Sequence, residues 1–87
     1  MERFDLQWRN STKKDLRSLP RQEVPRIVAA AGELASDPLP HDSKKLSGSE
    51  RTYRIRVGDY RIVYEVFTDL KIVEIQRIRH RKDVYRG

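Results

Sequence analysis

Residues 52–66 read TYRIRVGDYRIVYEV. Gly58-Asp59 sits between two alternating runs, and that pattern signals a β-hairpin with a two-residue loop. Such a loop leaves one register. Val57 faces Tyr60, Arg56 faces Arg61, Ile55 faces Ile62, Arg54 faces Val63 and Tyr53 faces Tyr64. Side chains alternate along a strand, so one face carries Tyr53, Ile55, Val57, Tyr60, Ile62 and Tyr64. The other carries Arg54, Arg56 and Arg61. Like charges directly opposite each other destabilise a sheet. A chain that keeps Arg56 across from Arg61 has a use for them on something strongly anionic.

The chain has 87 residues, enough for one hydrophobic core and not for two, so residues 1–87 are read as a single domain. It contains no cysteine, which excludes a disulfide framework and a thiolate metal site and fits a reducing, cytoplasmic setting. The opening MERFDLQWRN is charged from residue 2 and lacks the apolar run of a signal peptide. No stretch approaches the length of a membrane span, so no membrane partner is expected. Charged residues make up 37% of the chain, a composition that leans toward disorder, but the alternation after Thr52 argues for a folded sheet.

The charge is unevenly placed. Residues 1–43 hold seven Lys or Arg and seven Asp or Glu, whereas residues 44–87 hold twelve and six. The whole net charge of +6 therefore lies in the second half. Charge alone leaves two readings open: a polyanion partner such as nucleic acid, or a solvated basic face kept for solubility.

Residues 3–8 alternate, with Phe4, Leu6 and Trp8 on one side, and read as a first strand. Asn10 or Ser11 is placed to cap a helix running to about Leu19, with Leu16 and Leu19 inward. Pro20 breaks it. Val24, Ile27, Val28, Ala31, Leu34 and Ala35 form the apolar stripe of a second helix, closed by Asp37-Pro38. Residues 38–50 have no periodicity and read as a loop. After the hairpin, a last strand spans about Lys71 to Arg79. Strict alternation from Val73 and Ile75 would drive Arg77 and Arg79 into the core, and a bulge near Gln76 would turn both outward. Residues 80–87 form a turn or one helical turn. The expected fold is α+β: a small antiparallel sheet packed on one face by two N-terminal helices, in the order β-α-α-β-β-β with a short C-terminal helical turn.

The candidate site is the open face: Arg54, Arg56, Arg61, Arg81 and Tyr85, with His80 nearby and Lys44, Lys45, Arg77, Arg79 and Lys82 as further RNA contacts. Guanidinium forks match phosphate oxygens two at a time and stabilise the charge of a pentacoordinate transition state. A phenol or an imidazole can move protons. RNA supplies its own nucleophile, the 2′-hydroxyl beside each phosphate. No acidic cluster or histidine pair has metal-ligand spacing, so neither a metal nor a small-molecule cofactor is expected. The same residues also have plainer readings: Arg54 as a solvent-facing strand residue, Arg61 paired with Glu65, His80 as a surface histidine and Tyr85 as a packing residue.

Residues 44–66, KKLSGSERTYRIRVGDYRIVYEV, followed by HRKDVYR at 80–86, closely resemble the RelE/ParE superfamily of toxins from toxin–antitoxin pairs, in its RelE-type branch. The resemblance implies a RelE-like fold and a cytoplasmic, ribosome-dependent mRNA endonuclease that cuts A-site codons by 2′-hydroxyl attack, leaving a 2′,3′-cyclic phosphate. It also implies a cognate antitoxin, with the ribosome and mRNA as further partners. The family's two basic second-strand positions fall on Arg54 and Arg56. Its third-strand arginine falls on Arg61, the arginine after the last strand on Arg81 and the C-terminal tyrosine on Tyr85. The best-known RelE pattern has lysines at the two second-strand positions. Arginine is a poor general base, so Arg54 and Arg56 are expected to hold phosphate, and His80 or Tyr85 to manage protons. Two other functions fit the layout: a ParE-like inhibitor of DNA gyrase, and a non-catalytic basic RNA-binding module.

Overall fold

The structure, a computed structural model, describes residues 3–84. Its elements are β1 (Asp5–Trp8), α1 (Asn10–Ser18), α2 (Val24–Glu33), β2 (Lys44–Lys45), β3 (Thr52–Val57), β4 (Tyr60–Phe67), β5 (Ile72–His80) and α3 (Arg81–Val84). One turn of 3-10 helix, Arg21–Glu23, precedes α2.

The β3–β4 hairpin has the register that its two-residue loop demands, from Val57 opposite Tyr60 to Thr52 opposite Glu65. Gly58 adopts φ +62°, and among the described non-glycine residues only Lys71 has a positive φ. A positive φ at the first turn residue and a negative one at the second is the sign pattern of a type II′ turn, whose twist matches that of the strands.

Five strands form one sheet in the order β1-β5-β4-β3-β2. The pairs from β5 through β2 are antiparallel, and β1 lies parallel to β5 with Leu6 beside Val73 and Trp8 beside Ile75. The α+β fold with its helices N-terminal is therefore as expected, with two additions. The first strand supplies a parallel edge, and residues 44–45, inside the segment read as loop, form the opposite edge. A two-residue strand is too short to carry any periodicity.

Gln76 is the extra residue on β5. Arg77 pairs with Val63 and Ile75 pairs with Tyr64, with the register shift falling between Val63 and Tyr64. This bulge lets Ile75 and Ile78 both point inward, where each is buried. It also sets Arg77 and Arg79 on the other face, as the apolar pattern requires.

Ile27 and Ala31 of α2, with Leu34 just after it, pack on Ile55, Ile62, Tyr64, Val66, Val73, Ile75 and Ile78 of the sheet, with Leu16 and Leu19 at the margin. Val28, expected on the apolar stripe, is 42% exposed. It borders the stripe rather than its centre, so the ten-residue helix rolls it outward. Neither Asn10 nor Ser11 caps α1 with its side chain. Ser11 instead donates to the Gln76 carbonyl at 2.8 Å, and the Asp15 carboxylate accepts the Ile78 N–H at 2.9 Å. Beyond Trp8, β5 has no further strand beside it, and α1 satisfies that open edge.

Two stability predictions follow from the sheet. Gly58→Ala forces a Cβ into the left-handed region, at an expected cost of about 1–2 kcal/mol, measured by denaturant unfolding. Burial pushes the Tyr64 phenol from 10.0 to about 12, outweighing the opposing effect of its hydrogen bond with Ser43. The unfolded chain releases this proton before the folded one. Its stabilising effect is thus complete below pH 10 and is lost as pH rises toward about 12. Tyr64 also donates to the Pro38 carbonyl at 2.8 Å. Tyr64→Phe is therefore expected to cost about 1 kcal/mol at neutral pH and to flatten the alkaline fall in stability, followed by circular dichroism against pH.

Candidate functional site

Arg56 lies opposite Arg61, and Arg61 lies opposite Arg79. Directly opposed residues share a face, with Cβ atoms about 4.5–5.5 Å apart. Three arginines from three strands therefore stand in one transverse row. The adjacent row holds Arg54, Val63 and Arg77, and Lys44 of β2 extends it beside Arg54. The hairpin register places the first two arginines, and the Gln76 bulge places the third.

Arg54, Arg56 and Arg61 line a shallow cleft of about 90 Å³ together with Lys44 and Asp42. The Arg56 Nε donates to the Gly58 carbonyl at 3.0 Å, which lays the side chain along its own turn. Among the described residues, no carboxylate forms an ion pair with Arg54, Arg56 or Arg79. Guanidinium groups outside any ion pair, as at Arg54, Arg56 and Arg79, are set up to accept an external polyanion. The larger cleft, about 420 Å³ beside Leu39, Phe67 and Leu70, lies away from this row. A backbone phosphate is held by converging guanidinium and ammonium donors, which the arginine cleft supplies with three arginines and Lys44.

The remaining expected residues divide. The Arg81 N–H donates to the Asp59 carbonyl at 2.8 Å, which brings the start of α3 against the hairpin tip. Lys82 follows it and is exposed. Arg77 shares the outward face, but the Asp15 carboxylate holds its guanidinium through two hydrogen bonds of 3.0 and 3.2 Å. It serves as a strut between β5 and α1. Lys45 is paired with Tyr53, on the side of the sheet opposite Lys44 and Arg54. His80, expected beside the arginines, does not join them. It is paired with Tyr60, so strand parity sends it to the helix-covered side, where the two rings meet edge-on at 5.2 Å. Tyr85 lies outside the described residues.

Three neighbours of the site escaped sequence reasoning. Asp42 enters the arginine cleft from a loop, where no period marks it. Asp15 binds a strand 62 residues away. The Arg26 guanidinium of α2 lies over the hairpin turn, where a Cβ on Gly58 would come within 2.8 Å of it. Only Arg26 carries a hint, being a basic residue in the first turn of an amphipathic helix.

The family model described as "ParE toxin of type II toxin-antitoxin system, parDE" matches residues 6–85. A putative toxin RelE1 of Methanocaldococcus jannaschii is 31% identical over 88 residues, covering 98% of each chain. Among solved structures, the RelBE2 toxin–antitoxin complex of Mycobacterium tuberculosis has a chain similar to this one with TM-score 0.80 and 28% identity, over 90% of this chain and 98% of that one. The archaeal RelE–RelB complex of Pyrococcus horikoshii gives TM-score 0.79 and 30% identity, over 93% and 97%.

The row makes a prediction of its own. Arg79→Thr removes one like-charge contact and introduces a better strand former. The variant should be more stable than the native protein by up to about 1 kcal/mol at low salt, with a gain that shrinks as salt is added. Denaturant unfolding at two ionic strengths checks it.

Proposed function

This chain belongs to the ParE toxin family of type II toxin–antitoxin systems, on its RelE-type side, and we propose that it is an endoribonuclease that cuts mRNA on the ribosome. What carries the reading is the row Arg56–Arg61–Arg79, with Arg54 and Lys44 beside it. In the proposed reaction the 2′-hydroxyl oxygen attacks the adjacent phosphorus and the bond to the 5′-oxygen breaks. The products are a 2′,3′-cyclic phosphate and a 5′-hydroxyl. Arg54, Arg56 and Arg61 hold the phosphate and stabilise the added negative charge in the transition state. Arg81 contributes from the start of α3. Arginine keeps its proton, so none of these four takes the proton from the 2′-hydroxyl. Tyr85 is the proposed group for proton transfer. The mechanism calls for positioning and charge stabilisation, with no metal or cofactor assigned a step.

The proposed setting is the cytoplasm, where translating ribosomes present mRNA. The proposed protein partner is a cognate antitoxin, since the similar solved structures include toxin–antitoxin complexes. Lys44 and Lys82 are proposed to contact RNA around the row, whereas Lys45 faces the other side of the sheet and Arg77 is better read as structural.

A second reading has one observation behind it: the matching family model is named for ParE toxins. Under that reading the chain inhibits DNA gyrase and cuts no RNA. The two are separated by expressing the native chain and the Arg61→Ala and Arg81→Ala variants. The first reading predicts codon-positioned cuts in translated message, reduced by about 100-fold or more in each variant, with the fold intact. Toxicity that persists in both variants, together with accumulating gyrase–DNA adducts, would establish the second.

A further inference from the structure

The first backbone N–H groups of a helix have no partner within it. At α3 the Arg81 N–H goes to the Asp59 carbonyl at 2.8 Å, and the Lys82 N–H goes to Nδ1 of His80 at 3.2 Å. His80 is the residue immediately before the helix. Its imidazole therefore does what an Asn, Asp or Ser side chain does at a helix N-cap, accepting from the second helical N–H. Accepting through Nδ1 leaves the ring's proton on Nε2.

The helix needs this support. Four residues are too few to hold a helix by themselves. The ring is itself fixed. It stands edge-on to Tyr60 with centroids 5.2 Å apart, in a cleft of about 280 Å³. That cleft is faced by Asp15 of α1, Tyr60 of β4 and Arg79 of β5. Asp15 is already engaged by Arg77 and by the Ile78 N–H.

We propose that His80 is a positioning residue, whose Nδ1 caps α3 and thereby fixes Arg81 beside the arginine row without meeting the substrate. The catalytic consequence rests on the RNA-cleavage reading, whereas the cap does not. An imidazole that transfers protons has no substitute in an amide. An imidazole that only accepts one hydrogen bond does, because the Asn carbonyl oxygen sits near the position of Nδ1 and Asn is among the best N-caps. Gln carries its amide one methylene further, near the place of Nε2.

The test compares His80→Asn, His80→Gln and His80→Ala with the native protein. Solvent exchange of the Lys82 amide is read by NMR, with core amides reporting the fold, and message cleavage is assayed alongside. The native protein and His80→Asn should share a slow Lys82 exchange and cleave within about threefold of each other. His80→Gln and His80→Ala should exchange Lys82 about fivefold faster or more and lose most of the cleavage. An unprotected Lys82 amide in the native protein overturns the proposal. So does a His80→Asn variant that keeps the amide protected but no longer cleaves, and so does undiminished cleavage in all three variants. If no form cleaves RNA while the exchange pattern holds, the cleavage reading fails and the cap stands.

Discussion

A row of like charges across three strands persists only if every strand is locked in register by something else. The lock here is the opposite face of the sheet. Ile55, Ile62, Tyr64, Val73, Ile75 and Ile78 are all buried, and Ile55, Ile62 and Ile78 lie next to the arginines along their strands. Side-chain period in a strand is two, so a one-residue slip of β3 or β4 would exchange Arg56 or Arg61 with a core residue. Each fully buried aliphatic side chain contributes about 1.5–3 kcal/mol. Repulsion between opposed arginines costs about 0.2–1 kcal/mol a pair. The core outweighs the repulsion, and the charged face is held in place by apolar packing it does not take part in.

The same dependence runs outward to the helices. α1 lies against the half of β5 that β1 does not reach, and there Asp15 and Ser11 take over the hydrogen bonds of a missing strand. That contact steadies the segment carrying the Gln76 bulge, and the bulge gives Arg79 its side. At the far end, the hairpin tip receives the Arg81 N–H and His80 receives the Lys82 N–H. The hairpin tip and the end of the last strand thus meet, with Arg79 and Arg81 beside them.

Local chemistry was legible in the sequence and long-range pairing was not. Gly58-Asp59 and the alternation around it prescribe a register through nearest neighbours, and the structure has it. The bulge was legible from a conflict: Ile75 and Ile78 both need burial at a spacing that a regular strand forbids. The parallel partner of β1 and the Asp15–Arg77 contact depend on where helices deliver the chain, which no local period encodes. His80 is instructive. Its neighbour Arg81 suggested a shared site, yet counting across the hairpin from inward-facing Tyr60 puts it on the inner face. Parity across strands was the better guide than adjacency along the chain.

The central claim is that RNA's phosphates meet the sheet's open face and not the helical layer, although both carry arginines. Side-chain NMR of the arginine Nε–H groups during titration with a short single-stranded RNA tests it directly. The account predicts that Arg54, Arg56, Arg61 and Arg79 move together, with shifts that saturate at one RNA concentration, while Arg17 and Arg21 stay still. Shifts spread evenly over all arginines, or centred on Arg17 and Arg21, would contradict it.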